Sequence, residues 1–315
     1  MKRMKKWLGV VLALALAVSL TACGGKDDQS SSSSKAGEAS TSNSTTSTST
    51  SESTSGAAKA TGNINVVSRE EGSGTRGAFV EITGVEKDKV DQTRPDAAIQ
   101  NSTDQVITYV SSDAASIGYI SLGSLNDTVK ALKVNGTEAT EENVLNDSYA
   151  LKRPFNIVYK PDTNEATKDF INYIMSAEGQ GLAKEAKVIA KDGQAKPYAK
   201  SGEMTGKIRI SGSTSVTPFM EKLMEAYKKV QPKVEFDFTS NGSGAGIKAA
   251  IAGESDLGMA SREIKPDELS QGIENKVIAL DGIAVVVSKE NATEDLSMDQ
   301  IRQIFTGEIK AWDNL

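Results

Sequence analysis

The sequence predicts an α/β fold with a largely parallel sheet, on three observations. Short apolar, often β-branched runs alternate with helical periodicity from Ile64 onward. The stretch 207–260 reads β-α-β-α-β, the order that sets parallel strands side by side with helices packed on them. Three strand-to-helix turns share one unusual composition of serine, threonine and glycine.

Strands are expected at Ile64–Ser68, Ser116–Ser121, Ala131–Val134, Phe155–Tyr159, Lys207–Ile210, Val234–Phe238, Asp256–Ala260 and Val277–Val287. Phe170, Ile171 and Ile174 begin one apolar helical face. Phe219, Met220, Leu223, Met224, Tyr227 and Val230 make another at 3-4-7 spacing, with Pro218 suited to its first turn. Ser297-Met-Asp-Gln300 has the form of a capping box, in which the N-cap hydroxyl and the N3 side chain satisfy each other's backbone donors. These apolar positions, with Met259, are read as core.

The three turns are Glu71-Gly-Ser-Gly-Thr-Arg-Gly77, Ser211-Gly-Ser-Thr-Ser-Val-Thr217 and Ser240-Asn-Gly-Ser-Gly-Ala-Gly246. A helix N-terminus presents unpaired N–H groups and a positive dipole end, and glycine lets the backbone approach closely. One such turn is ordinary capping. Three in one body, with arginines in Ser68-Arg69 and Ser261-Arg262, supply what a desolvated oxyanion requires. The plainer readings stay open: Arg69 and Arg262 as surface ion-pair partners, Ser73 and Ser243 as caps, Glu70 and Glu71 as solvated carboxylates. Gly72-x-Gly74-x-x-Gly77 also matches the dinucleotide fingerprint. An export signal, the lack of an evident first βαβ unit and Arg76 inside the loop argue against that use.

The chain has 315 residues, one cysteine and no histidine. That length suits about two domains. Without histidine, Ser-His-Asp and Cys-His chemistry and the commonest metal ligand are excluded, and one cysteine excludes an intrachain disulfide framework and any CxxC site. A net charge of −6 argues against a nucleic-acid surface. Lys2, Arg3, Lys5 and Lys6 precede an apolar run, Trp7 to Leu20, of secretory rather than membrane-spanning length. The run ends in Leu20-Thr-Ala-Cys23, which resembles the bacterial lipoprotein box and implies cleavage before Cys23 and lipid attachment to its sulfur. Residues 23–62 are expected to be a disordered tether, mostly Ser, Thr, Gly and Ala from residue 26 on, with scattered Lys, Asp and Glu. About 35 such residues reach roughly 30–35 Å.

Further motifs extend the pattern: Gly212-Ser-Thr-Ser-Val216, Asn241-Gly-Ser-Gly-Ala-Gly246, Asp256-Leu-Gly-Met-Ala-Ser-Arg262, Val67-Ser-Arg-Glu-Glu-Gly-Ser-Gly-Thr-Arg-Gly-Ala-Phe79, Ile117-Gly-Tyr119, Ser176-Ala-Glu-Gly-Gln180, and Ile304-Phe-Thr-Gly307 with Trp312. Together they resemble the phosphate-binding lipoproteins of phosphate ABC importers over nearly all of 64–315. The order differs from that family's usual one, in which the 212–216 loop comes first and the 67–79 segment follows the segment ending at Leu315. The chain therefore resembles a circular permutant, with a joint near Tyr198–Gly206; a fragment of a longer tandem repeat would look the same.

The resemblance implies a two-lobed periplasmic-binding-protein-like fold (type II) in permuted order. One α/β lobe would comprise 63–160 plus 285–315, the other 161–284, with chain crossings near Phe155–Lys160 and Gly282–Ser288. It implies anion binding by Thr214, Ser215, Ser243, Ser261, Arg262, Arg69, Ser73, Gly74 and Thr75. The better-known branch of the family has an aspartate near Arg262 that accepts the proton of hydrogen phosphate, so here the acceptor is unassigned. No catalysis, cofactor, metal or nucleic acid is expected. The expected partners are inorganic phosphate, the permease and ATPase subunits of an ABC importer, and the outer face of the cell membrane through the lipid on Cys23, with the body a monomer. Alternatives are another tetrahedral oxyanion such as sulfate, or a phosphate-ester hydrolase lacking an evident base.

Overall fold

The computed structural model describes residues 61–315. The expected leader, Cys23 and nearly all of the tether lie outside the described residues.

The body opens with β1 (Asn65–Arg69), whose last four residues are buried. It leads into α1 (Gly74–Thr83), a small hairpin of β2 (Glu86–Lys87) and β3 (Val90–Asp91), then β4 (Ala98–Gln100), α2 (Thr103–Ser112) and the fully buried β5 (Ser116–Ser121). Next come β6 (Val129–Ala131), β7 (Lys133–Val134) and α3 (Glu141–Leu145). The strand expected over Ala131–Val134 is split at Leu132: β6 pairs with the long strand β13 (Glu274–Ser288), whereas β7 turns away to pair with β14 (Asp295–Leu296).

β8 (Lys152–Tyr159) carries the chain to α4 (Glu165–Ile174), α5 (Ala177–Gly181) and β9 (Ile189–Ala190). The predicted β-α-β-α-β unit follows as β10 (Gly206–Gly212), α6 (Thr217–Val230), β11 (Val234–Ser240), α7 (Ser243–Ala252) and β12 (Leu257–Ala260). β10 is parallel to both β11 and β12. A single turn, α8 (Pro266–Leu269), precedes β13, and α9 (Met298–Thr306) follows β14. Ser297 and Gln300 cap α9 reciprocally, as their spacing predicts.

One continuous sheet runs β11-β10-β12-β8-β13-β5-β1-β4, with β6 and β9 also on β13. Two separate main cores divide it into lobes. Phe79, Tyr119, Phe305 and Trp312 fill one, and Phe155, Phe170, Phe219 and Tyr227 fill the other. β13 serves both: Ile278 and Ala279 belong to the second core, and Ile283, Val285 and Val287 to the first. Its partner changes at the same place, since Gly282 faces Lys152 of β8 and Ile283 faces Ser121 of β5.

The other crossing differs from expectation. β8 lies wholly against β12 and the Glu274–Gly282 part of β13. Leu151 packs in the first core and Phe155 in the second. The chain therefore crosses before Phe155 rather than over Phe155–Lys160, and β8 belongs to the second lobe. Adjacent apolar runs feed either core equally well, so strand pairing decides the boundary.

The segment before β10 is fastened down. Buried Asp169 of α4 accepts hydrogen bonds from Tyr198, Tyr227 and Ser201 at 2.5, 2.7 and 3.0 Å. Buried Gln231 donates to the Gly202 carbonyl (2.9 Å) and accepts from the Met204 amide (3.0 Å). Residues 62–64 run beside 310–312, through Ile64 N–H to Lys310 O (2.8 Å) and Trp312 N–H to Gly62 O (2.9 Å).

Candidate anion-binding site

Each predicted turn stands between a strand end and a helix start. β1 delivers Arg69, and Gly72, at φ +82°, reverses the chain into α1 with Ser73 as its N-cap. β10 leads through Ser213–Val216 into α6, and β11 leads through Gly242, at φ +94°, into α7. The first N–H groups of each helix have no partner within it, so the convergence presents several donors and aligned dipole ends.

The side chains meet across the cleft. Arg69 is only 1% exposed. Its Nη2 donates to Thr214 Oγ1 at 3.0 Å, and its Nη1 lies 3.5 Å from Thr103 Oγ1. Thr75 and Ser215 share a hydrogen bond of 2.8 Å between lobes. Ser243 Oγ accepts from the Ser261 amide at 3.1 Å, and their hydroxyls are 3.4 Å apart. Both crowd against Gly74: a Cβ there would fall 2.3 Å from Ser243 Oγ and 2.7 Å from Ser261 Oγ, so no larger residue fits. Gly244 N–H donates to Gly72 O at 2.9 Å, again across the cleft. The lobes are closed on each other here.

Behind this surface, Tyr119 holds the arginine's backbone. Its hydroxyl accepts from Arg69 N–H (3.3 Å) and shares a hydrogen bond with Ser68 Oγ (2.8 Å), while its ring stacks on Phe79 with centroids 3.9 Å apart. Burial pushes the Tyr119 phenol up to about 12, so it keeps its proton at neutral pH. Arg76, on the first turn of α1, donates to the Arg69 carbonyl at 2.8 Å and pairs with Asp91.

The structure thus brings together Arg69, Ser73, Gly74, Thr75, Thr214, Ser215, Ser243 and Ser261. It treats Arg262 differently. That guanidinium forms a two-pronged pair with Glu268, at 2.7 and 2.8 Å, and donates to the Glu263 carbonyl. Burial works against the Glu268 charge, yet these bonds from Arg262 and the Lys265 amide hold its carboxyl below the usual glutamate range. Arg262 is an ion-pair partner here, with no hydrogen bond to the hydroxyl cluster.

Two features escape sequence reasoning. Glu70 is not solvated: its carboxylate clamps Arg69 through Nε and Nη2, both at 2.8 Å, with its side chain 20% exposed, while Glu71 is exposed as expected. Thr103, buried at the start of α2, also joins the cluster, 3.2 Å from Thr214 Oγ1 and 3.4 Å from Ser215 Oγ. A fourth helix N-terminus therefore faces the cleft. The available signal was Asn101-Ser-Thr-Asp104, a cap composition without glycine.

The arrangement can bind an oxyanion by hydroxyls, helix-end amides and one buried cation. Comparisons with known proteins agree with it. A family model described as a PBP superfamily domain matches residues 33–178 and 197–315. The phosphate-binding protein PstS 2 of Streptococcus agalactiae is 49% identical over 265 residues, covering 82% of this chain and 90% of the relative. The crystal structure of a phosphate-binding protein of a phosphate ABC transporter from Streptococcus pneumoniae is 47% identical, with a TM-score of 0.65, over 80% of this chain and 99% of that one. The phosphate-binding protein PstS of Staphylococcus haemolyticus is 39% identical over only 121 residues, 36% of this chain and 38% of the relative. By the extent and identity of these matches, the chain belongs to the PBP superfamily and, within it, to the family of its streptococcal phosphate-binding relatives.

Proposed function

We propose that this protein captures inorganic phosphate outside the cytoplasm and hands it to the permease and ATPase subunits of an ABC importer. The observation that carries the reading is the buried Arg69 guanidinium donating to Thr103 of one lobe and Thr214 of the other, in a cleft where Thr75 and Ser215 also meet. Thr214, Ser215, Ser243, Ser261, Ser73, Gly74 and Thr75 act as donors and Arg69 supplies the charge, with Thr103 added to the set. Charge-assisted hydrogen bonds are worth about 1.5–3 kcal/mol each, and closure excludes competing water. The protein acts as a carrier, in keeping with relatives named as binding proteins and a sequence without histidine.

The body is tethered through lipid on Cys23, a reading supported by the leader and the Leu20-Thr-Ala-Cys23 sequence. Cys23→Ser should move the protein from the membrane to the soluble fraction after a salt wash; membrane retention would exclude the anchor. The segment order is a circular permutation shared with the streptococcal relatives. In its support, those relatives align over most of both chains, whereas the staphylococcal one aligns over little more than a third of each.

Calorimetric titration of residues 63–315 with phosphate, sulfate and arsenate tests the function. A phosphate Kd of about 1 μM or tighter, about −8 kcal/mol, is expected. Tighter binding of sulfate than of phosphate would overturn the assignment.

A further inference from the structure

Where the chain passes between lobes, a buried ion pair does more than join two strands. Arg153 of β8 and Asp281 of β13 are register partners, 3% and 0% exposed. Arg153 Nε and Nη2 both donate to Asp281 Oδ2, at 3.1 and 2.9 Å. The other carboxylate oxygen, Oδ1, accepts from Ser121 Oγ at 2.9 Å, at the end of β5 in the first lobe, and from the Gly123 amide at 3.4 Å, in the turn that follows. The remaining guanidinium nitrogen, Nη1, donates to the Ser261 carbonyl at 3.1 Å. Ser261 in turn donates its amide to Ser243 Oγ in the cleft.

The chain of contacts is unbroken: Ser121 and Gly123, Asp281, Arg153, Ser261, Ser243. It begins in one lobe and ends among the ligand donors of the other. Stability alone does not account for it, because a buried ion pair is on average no more stabilising than apolar side chains of the same volume. Its geometry is specific, since each end of each charged group has a separate partner. Rotation of the first lobe at Gly282–Ile283 would pull Ser121 and Gly123 away from Asp281 Oδ1, and the Arg153 fork would transmit that change to the Ser261 carbonyl.

We propose that Arg153 and Asp281 are positioning residues that couple lobe orientation to the Ser261–Ser243 donor pair, without touching the anion themselves. The proposal rests on the phosphate-binding reading above for its affinity test, and on a second readout that needs no ligand. Single substitutions strand a buried charge and threaten folding, so the main variant is the double change Arg153→Met with Asp281→Leu. Ser121→Ala, which removes the shorter of the two first-lobe contacts and leaves no unpaired charge, is the second.

Thermal melting, phosphate titration, and amide hydrogen exchange of the phosphate-free full chain are measured on both variants and wild type. The double variant is expected to fold but melt below wild type, because Ser121, the Gly123 amide and the Ser261 carbonyl lose their partners. It should bind phosphate at least tenfold more weakly, and exchange faster at 243–246 and 261–262 while the rest of the second lobe stays protected. Ser121→Ala should show the same pattern with a loss of about threefold. Wild-type affinity together with wild-type exchange at 243–246 and 261–262 in the double variant would reduce the pair to packing and overturn the proposal. Failure of wild type to bind phosphate would instead count against the functional reading, with exchange still deciding the coupling. If the double variant does not fold, Ser121→Ala decides: unchanged exchange at 261–262 overturns the proposal.

Discussion

Arg69 shows how much one buried cation depends on its neighbours. Glu70 fixes its fork, Tyr119 fixes its backbone, and Thr214 and Thr103 stand in front of it. Arg69→Ala should weaken phosphate binding by at least about 2 kcal/mol, some thirtyfold, because the anion loses its charge-assisted partner. Thr103→Val keeps the volume and removes the hydroxyl, and should cost about 1 kcal/mol by the same titration. Arg262→Ala should leave affinity near wild type, since its guanidinium belongs to Glu268. Its effect falls on stability. The carboxyl of Glu268 is held below its ordinary value, so the contribution of this pair is present above the unfolded-state value and is lost as pH falls through the folded one. Thermal melting from pH 7 to 3 should therefore show a deficit for Arg262→Ala at neutral pH that shrinks in acid. Arg69 was legible from Ser-Arg before a glycine-rich turn. Glu70 was not, because two adjacent carboxylates in a turn ordinarily point to water, and only the fold shows which one turns inward.

At the level of elements, the close seating of α7 on β10 decides where a whole set of donors lies. A Cβ on Gly246 would stand 2.5 Å from the Ser211 carbonyl oxygen and 2.6 Å from Gly212 Cα. In an isolated helix, alanine for glycine stabilises by about 1 kcal/mol. Here Gly246→Ala should destabilise by about 1–3 kcal/mol, the usual range for overpacking, and should weaken phosphate binding by lifting Ser243 from the cleft. Melting and titration of the one variant check both effects; a rise in melting temperature would show that α7 is not pinned by this contact. The run Ser240–Gly246 announced a strand-to-helix turn in the sequence. The approach of two backbones that makes its last glycine necessary is a tertiary fact. β4, just before the helix that carries Thr103 into the cleft, is a three-residue strand, too short to show a period.

On the scale of the molecule, connectivity and architecture separate. β8, which precedes the joint, completes the sheet of the second lobe, while β13, which follows it, runs on into the first and pairs there with β5 and β6. Neither 63–200 nor 206–315 alone should bind phosphate tightly, because each lacks a strand of a lobe as well as part of the donor set. Mixing the pieces should restore weaker binding, reduced by the loss of freedom on association. Relinking in the family's usual order should retain affinity, since residues 62–64 already lie against 310–312 and a short connection there leaves every contact in place. Titration of the pieces, the mixture and the relinked chain checks all three. Tight binding by 206–315 alone would contradict a site built from both lobes.

Local pattern alone carries the α/β class, the parallel β-α-β-α-β unit, the three glycine-rich turns and the place of Arg69 just before one of them. Each of these is a local property, set by side-chain period, cap chemistry and the freedom of glycine. Only the tertiary structure decided that β8 joins the second lobe, that Thr103 and Glu70 reach Arg69, that Arg262 turns to Glu268, and that Arg153 and Asp281 link the lobes. Thr103 with Arg69 and Arg153 with Asp281 join residues far apart in the chain, while Glu70 and Glu268 are near neighbours of their arginines for which other partners compete. That competition is settled by packing and burial, which no local pattern encodes.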